Sequence, residues 1–240
     1  MKYKVFVPTY KRAAVIDKSV AIGLENVYFC VCEDDYEAYS QRLQKKTLLT
    51  ITNKIEGVLA RKRNYILDNF WDDSDFVVMI DDDVREIKFS ITEEFLYYEE
   101  IDELFQNMFR IMEFLNISIA AISDTFRFRN GIYSNPFSLT GLISSALIII
   151  RNKYLRYDEN LFMREDVDLT MQGIYADGRV LKNNLYSLTL ASHGKGSGGD
   201  RLNTLTTKLK HDEDYLINKW GKNDLLFRLL KDNPYGGGYV

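Results

Sequence analysis

The sequence predicts an α/β fold in which one mainly parallel sheet is flanked by helices. Short apolar runs alternate with segments of helical length over the first part of the chain, which is typical of βαβ units. Phe76-Val-Val-Met-Ile80 is apolar throughout, as expected for a strand buried on both faces. Three of the runs end in polar or acidic residues. Ligands of such sheets bind beyond the carboxyl ends of the strands, so the sequence predicts a binding crevice there.

The first half alternates strand and helix. After a first strand over Lys4–Val7, the segment following Arg12 is expected to be helical. Further strands are expected at Val27–Val31, Thr50–Asn53 and Phe76–Ile80, with helices over Tyr36–Lys46 and Gly57–Phe70. The helical assignments depend on apolar residues that recur at a spacing of three to four.

The second half is less regular. An amphipathic helix is expected over Ile101–Leu115 and strands over Ile117–Ile122, Leu142–Ile150 and Val180–Leu190, with a loop or hairpin at residues 124–141. Glu165–Tyr175 is predicted to be a helix that ends at Asp177-Gly178, a favourable carboxy-terminal cap. Closing helices are expected over Thr206–Trp220 and Asp224–Leu230.

Composition indicates a soluble globular chain. Its 240 residues are 46% hydrophobic and 28% charged, and no repeat or linker divides them, so we expect one domain over 1–240. Within it we expect a nucleotide-sugar half over about 1–90, an acceptor half over about 91–205 and terminal helices over about 206–232. The amino terminus lacks the pattern of a signal peptide, and Cys30 and Cys32 lack metal-ligand spacing. A cytoplasmic location is therefore expected.

Asp81-Asp82-Asp83 is the strongest local signal for chemistry. On an extended strand end, Asp81 and Asp83 can point to one side while Asp82 points away. Two carboxylates held that close suit Mg²⁺ or Mn²⁺, which would neutralise a departing diphosphate. The alternative is an acidic turn, because Asp is favoured in turns. Mutual repulsion of three adjacent acids favours the metal interpretation.

Other polar groups are predicted to meet a nucleotide at the same edge. Tyr10 can stack on a base and Arg12 can pair with phosphate, while Glu33 and Asp34 can accept hydrogen bonds from base or ribose. Each also has a plainer interpretation as a polar turn or helix cap. Arg61, Arg63 and Asn64 lie on one helix, with Arg61 and Asn64 three apart on the same side, and they could reach the nucleotide or the acids. A solvated basic face would look the same.

Two further signals come late in the chain. Glu165 and Asp166 open a helix, where acids ordinarily complement the helix dipole; in a functional interpretation one of them is a general base for an acceptor hydroxyl. His193 follows a predicted strand and precedes a glycine-rich loop. It could be a third metal ligand or an unliganded surface histidine.

The combination resembles the GT-A glycosyltransferases, which use an Asp-x-Asp metal motif and acids on a later helix. The matching segments are Pro8-Thr9-Tyr10-Lys11-Arg12, Glu33-Asp34, Ala60-Arg-Lys-Arg-Asn64, Asp81-Asp82-Asp83 and Glu165-Asp166-Val-Asp168. This resemblance implies a Rossmann-like GT-A domain and a nucleotide-sugar donor. It implies contacts to that donor from Pro8, Thr9, Tyr10, Arg12, Glu33, Asp34, Arg61, Asn64, Asp81 and Asp82, and to the metal from Asp81, Asp83 and His193.

More narrowly, the chain is similar to the TET-associated glycosyltransferases. The similarity lies in Val78-Met-Ile-Asp-Asp-Asp-Val84, in Arg164-Glu-Asp-Val-Asp-Leu169 with Gly178, and in Gly198-Gly199. It implies transfer from a UDP-sugar to a hydroxymethylated pyrimidine in phage DNA, with Asp166 on the acceptor side. Phosphate contacts are then expected from Lys195, Arg201, Lys208 and Lys210.

Two alternatives share these residues. The same donor chemistry could serve a glycan, lipid or protein acceptor, although no membrane anchor is evident. A non-catalytic nucleotide-sugar or DNA-binding module could keep the fold, but it would be expected to lose acids that are all present here. The net charge of −4 opposes wholesale DNA coating, while residues 191–240 hold eight Lys and Arg against six Asp and Glu.

Overall fold

The protein, described from a computed structural model, is built on one mixed sheet. The structure describes residues 1–43, 47–55, 59–123, 135–143, 146–191 and 200–232. The strands within these residues are β1 (Tyr3–Pro8), β2 (Val27–Cys32), β3 (Thr47–Ile51), β4 (Phe76–Ile80), β5 (Val84–Phe89), β6 (Ile119–Ser123), β7 (Phe137–Ser138), β8 (Leu147–Ile150) and β9 (Leu181–Leu190).

The sheet has the order β3-β2-β1-β4-β8-β6-β9-β5, with β7 paired to β9. β3, β2, β1 and β4 are parallel neighbours, and β6 and β9 are also parallel to each other. β8 runs antiparallel between β4 and β6, and β5 is antiparallel to β9. The expected α/β fold with a mainly parallel sheet is confirmed.

Helices flank this sheet, and most of them lie where the spacing of apolar residues predicts a helix. They are α1 (Tyr36–Ser40), α2 (Leu59–Phe70), α3 (Tyr98–Leu115), α4 (Glu165–Asp177), α5 (Asp200–Trp220) and α6 (Asp224–Asp232). Gly178 caps α4 in a left-handed conformation with φ 73°, as its sequence predicts. No helix among the described residues is long and apolar enough to cross a membrane.

Three expectations differ from the structure. α1 ends at Ser40 and does not extend through Leu43 as expected; the N–H groups of Arg42 and Leu43 share the carbonyl of Tyr39 as acceptor. The helical segment after Arg12 is two short 3-10 helices, Ala13–Lys18 and Val20–Gly23. β5 was not predicted, since its pairing partner β9 is about a hundred residues away in sequence and local pattern alone does not show it.

Alternate residues of the central strands face two separate cores. Val5 and Val7 of β1 pack on the side of α3, whereas Phe6 packs on the side of α2 and α4. A third cluster joins α4 to α5 and α6 through Val167, Leu216 and other leucines. The terminal helices are therefore seated on the amino-terminal part of α4, which places them beside the predicted acceptor side.

The carboxyl ends of β1, β4 and β9 meet at one edge. The N–H of Thr9 donates to the carbonyl of Cys30 at 3.2 Å, and the N–H of Asp81 donates to Ala146 at 2.9 Å. The N–H of Ala191, just beyond β9, donates to the carbonyl of Asp83 at 2.8 Å. This is the edge at which the sequence predicts a binding crevice.

Candidate active site

The acidic triplet forms a turn instead of continuing β4. β4 ends at Ile80, and the N–H of Val84 donates to the carbonyl of Asp81 at 3.2 Å. The expectation that Asp81 and Asp83 share one side while Asp82 points away is therefore wrong, because the strand alternation ends before the triplet. Asp82 and Asp83 both face Arg12, and Asp81 faces α2.

Asp82 joins the end of β4 to the end of β1. Its carboxylate accepts from Thr9 Oγ1 at 2.5 Å and from Arg12 Nη1 at 2.7 Å. Thr9 Oγ1 also lies 2.6 Å from the hydroxyl of Tyr39, and Arg12 Nη1 lies 3.4 Å from Asp83. Burial raises the pKa of Asp82 above its ordinary value, against the opposing effects of Thr9 and Arg12. Thr9 is 3% exposed, so it holds Asp82 in position from the buried side of the site.

Arg63 connects the triplet to α4. Its guanidinium, 0% exposed, donates through Nη2 to Asp81 at 2.6 Å and through Nη1 to Glu165 at 3.2 Å. Burial raises the pKa of both carboxyl groups, an effect that Arg63 partly offsets. Arg63 is thus the member of the predicted basic group on α2 that reaches the acids. Its spacing from buried Ala60 and Leu67 places it on the inward face of α2, a signal of its burial that the expected polar side of the helix did not include.

Arg61 and Asn64 point to a different place from the one expected. The side-chain amide of Asn64 exchanges two hydrogen bonds with the backbone of Tyr157, at 2.8 and 2.9 Å, and also donates to Glu159 at 3.0 Å. Arg61 Nε lies 3.5 Å from Glu159. Both residues hold the loop before α4, and their contact with a nucleotide stays a prediction.

The other predicted donor-binding residues lie at the ends of β1 and β2. Pro8 is the last residue of β1, and the ring of Tyr10 just beyond it is 46% exposed. Glu33 and Asp34 open a short 3-10 helix after β2 with exposed side chains. Because β1 and β2 are parallel neighbours, these groups share the edge that carries the acidic triplet.

The two acids at the start of α4 differ in their surroundings. Glu165 is buried against Arg63, with a side chain 10% exposed. Asp166 is half-buried and accepts from the N–H of Val167 at 2.8 Å. Since Glu165 is bound to a buried cation, Asp166 is the acid better placed to meet a substrate.

A residue from α5 caps α4. Arg164, the residue before the helix, makes no side-chain cap, but the N–H groups of Phe162, Met163 and Arg164 all donate to the carboxylate of Asp212, at 2.7 to 3.2 Å. Asp212 is 0% exposed. Arg164 in turn donates to Glu213 at 2.6 Å. Sequence inspection missed this contact because the two segments are nearly fifty residues apart.

These features can be compared with known proteins. The sequence model of the TET-associated glycosyltransferase family matches residues 3–189. The chain belongs to the TET-associated glycosyltransferase family. No curated protein matches it by sequence. As a TET-associated glycosyltransferase it is a nucleotide-sugar-dependent enzyme, and the matched region contains the acidic triplet, Arg63 and the start of α4.

Solved structures support the fold. The chain is similar to S. aureus TarS residues 1–349, with 14% identity, a TM-score of 0.58, and coverage of 97% of this chain and 71% of that one. A UDP-glucose pyrophosphorylase complexed with UDP-glucose is 9% identical with a TM-score of 0.49, covering 91% and 100% of the two chains. The first likeness places this TET-associated glycosyltransferase in the GT-A fold, as its sequence predicts.

Metal and acceptor contacts of this TET-associated glycosyltransferase remain predictions. Among the described residues, no group of three or more His, Cys, Asp or Glu side chains is arranged to hold a metal ion. His193 and Lys195 lie outside the described residues, as does the side chain of Arg201. Lys208 and Lys210 are exposed on α5, and Lys208 Nζ lies 5.4 Å from the ring centroid of Phe162.

Proposed function

We propose that this glycosyltransferase uses Mn²⁺ or Mg²⁺ to transfer the sugar of a UDP-sugar to a hydroxymethylated pyrimidine in DNA. The observation that supports it is the charge of the site. Four carboxylates, of Asp81, Asp82, Asp83 and Glu165, lie against the guanidinium groups of Arg12 and Arg63. The buried ammonium group of Lys62 donates to the carbonyl of Thr9 at 2.9 Å, and the hydroxyl of Thr9 bonds Asp82. The acids still outnumber these cations in this partly buried cluster, and a divalent cation would offset the excess negative charge.

The available carboxylates fit such an ion. Mg²⁺-like ions are usually held by one or two protein carboxylates together with substrate phosphates, so three protein ligands are not required. The side chains of Asp81 and Asp83 are 26% and 14% exposed, and a diphosphate at this edge could complete the coordination. A bound cation would stabilise the charge of the departing nucleoside diphosphate.

The chain's own residues then divide the remaining tasks. Arg12, whose side chain is 44% exposed, can pair with a diphosphate oxygen, and Tyr10 offers a face for the base. Arg63 keeps Asp81 and Glu165 in place, so Glu165 is a positioning residue and not the general base. Asp166 takes the proton of the acceptor hydroxyl. The hydroxyl oxygen bonds to the anomeric carbon of the sugar as the bond between that carbon and the diphosphate breaks.

The acceptor assignment rests on the family and on two exposed lysines of α5. Lys208 and Lys210 on α5 can contact DNA phosphates, and Lys208 lies over Phe162, four residues before Asp166. A hydroxymethyl group in duplex DNA must leave the stack to reach a pocket, so the base would be flipped.

The test is UDP release with Mn²⁺ and a panel of UDP-sugars, with hydroxymethylated or unmodified DNA. We expect release that needs the metal and is stimulated by the hydroxymethylated DNA alone. Asp83→Asn and Asp166→Asn should each lower the rate about 100-fold, equivalent to roughly 2.7 kcal/mol of lost transition-state stabilisation. Asp73→Asn, an acid with 73% exposure before β4, is the matched control and should keep the wild-type rate.

Two results would contradict parts of the proposal. Full activity of Asp83→Asn would remove the metal assignment. UDP release that needs the metal but is not stimulated by DNA would agree with the donor chemistry and contradict the DNA acceptor, in favour of a glycan.

A further inference from the structure

One aromatic side chain, four residues before Asp166 in the sequence, is exposed although its backbone is fixed. Phe162 is 48% exposed, while its neighbours Leu161 and Arg164 are each 1% exposed. Its N–H donates to both oxygens of Asp212, at 3.1 and 3.0 Å. The backbone of Phe162 is therefore held by a buried carboxylate while its ring faces solvent, an arrangement that suits a contact surface better than a core.

Phe162 is the first of three rings in a row. The ring of His211 lies 5.1 Å from it at 63°, and the ring of Tyr215 lies 6.2 Å from His211 at 17°. His211 and Tyr215 are four residues apart on α5, so they occupy one helix face. His211 Nδ1 contacts Asp212 at 3.1 Å, and the Tyr215 hydroxyl donates to Asp158 at 3.0 Å. Both α5 rings are thus anchored.

A cation borders the same rings. Lys208 Nζ lies 5.4 Å from the Phe162 ring centroid, and Lys208 is three residues before His211 on the same face of α5. The neighbouring acids have partners already, since Asp212 accepts three backbone N–H groups and Glu213 pairs with Arg164. Lys208 therefore supplies the positive charge next to the Phe162 ring, while the exposed Asp214 lies three residues beyond His211.

We propose that Phe162, His211 and Lys208 form an acceptor subsite, on which a nucleobase of the nucleic acid stacks while Lys208 contacts its phosphate. This rests on the proposed function, because it names the acceptor-binding part of that site. Flat aromatic rings and a cation are what a single-stranded or flipped nucleotide requires, and stacking is worth roughly 1–3 kcal/mol per base. A sugar could also stack on Phe162, but the cation favours an anionic acceptor.

The experiment measures binding without donor, so that it does not depend on turnover. The probe is a fluorescein-labelled single-stranded DNA 12-mer with one 5-hydroxymethylcytosine, followed by fluorescence anisotropy. Phe162→Ala should raise Kd about tenfold, within the range expected for one lost stacking contact, and Phe162→Trp should restore it. Lys208→Ala should weaken binding and lower the slope of log Kd against log salt concentration by about one. Tyr154→Ala, a ring with 92% exposure elsewhere, is the control, with thermal melting to verify folding.

Three outcomes would overturn the subsite. They are wild-type affinity in Phe162→Ala, an equal loss in Tyr154→Ala, and no binding of the oligonucleotide by the wild-type protein. If Phe162→Ala instead abolishes transfer to a glycan, the rings serve a sugar and the nucleobase assignment is wrong. Absence of UDP release with every donor would contradict the proposed function while leaving the binding result to stand by itself.

Discussion

At the residue scale, Arg63 is the side chain on which the site depends. It is fully buried and contacts one acid from the turn after β4 and another from the start of α4. Its own desolvation is unfavourable, so it is retained only because two carboxylates surround it. A solvent-exposed arginine could not fix the distance between Asp81 and Glu165 in this way.

Replacement of Arg63 should therefore be costly, and more so at neutral pH. Arg63→Met leaves two carboxylates without their cation, and we expect a loss of about 3–5 kcal/mol in the free energy of unfolding at pH 7. Burial raises the folded-state pKa of Asp81 and Glu165, so the folded protein favours their protonated forms. The stability that Arg63→Met loses should shrink as the pH falls towards 3.8 and 4.5, the ordinary pKa values of Asp and Glu, because both buried acids are then neutral in the folded protein.

Urea unfolding of Arg63→Met at pH 7 and pH 5 measures this effect. The matched control is Arg61→Met on the same helix, whose side chain is 47% exposed against a half-exposed Glu159; it should lose no more than about 1 kcal/mol. A deficit for Arg63→Met that is equal at both pH values would show that the buried acids are not the cause.

At the element scale, α4 depends on a cap that another helix supplies. A helix begins with N–H groups that lack intrahelical partners. Here the N–H of Arg164, at the N-cap position of α4, donates to Asp212 of α5, and so do those of Phe162 and Met163 in the turn that leads into the helix. The negative charge also suits the positive end of the α4 dipole. α5 thereby fixes the position of Glu165 and Asp166, although it begins after the region matched by the family.

Removal of this cap should loosen the start of α4. We expect Asp212→Ala to lose about 2 kcal/mol, because it leaves buried N–H donors without an acceptor. Amide hydrogen exchange of residues 162–166 should accelerate, and kcat should fall more than the donor KM rises, because Asp166 is no longer held in place. Asp214→Ala, an exposed acid two residues further along α5, should change neither property. Unaltered exchange at 162–166 in Asp212→Ala would contradict the capping role.

At the scale of the whole molecule, the sheet and the apolar clusters connect β1 with the helices α5 and α6. The sheet continues from the donor-side strands β1 to β4 through β8 and β6 to β9. The third apolar cluster, with Leu229 at 0% exposure, attaches α5 and α6 to α4. Loss of packing between α6 and α4 should therefore also destabilise the far side of the sheet.

The two tryptophans offer one probe on each side. Trp71 is 8% exposed beside the α2 core, and Trp220 donates to Asp168 at 2.8 Å. The variant Trp71→Phe keeps only Trp220, and Trp220→Phe keeps only Trp71. In both, Leu229→Ala should lower the free energy of unfolding in urea by the same amount, about 2–5 kcal/mol. A shift reported by Trp220 alone would mean that the terminal helices unfold as a separate unit.

The sequence was sufficient wherever the signal was local. The apolar run of β4, the helical period of α3 and the αL cap at Gly178 each depend on neighbouring residues, and the structure has them where they were expected. The convergence of strand ends followed from the rule for parallel sheets. The acids at the end of β4 and the glycosyltransferase family were accordingly predictable from the sequence, while the residues that contact the donor stay a prediction.

Tertiary structure decided how the side chains divide among these tasks. The contacts of Arg63 with Asp81 and Glu165, the hydrogen bonds of Asp212 and the pairing of β5 with β9 all join residues distant in sequence. Such contacts depend on which surfaces exclude water together, and a local pattern does not contain that information. Polarity could therefore indicate which residues form the site, but only packing separates the buried Glu165 from the more accessible Asp166.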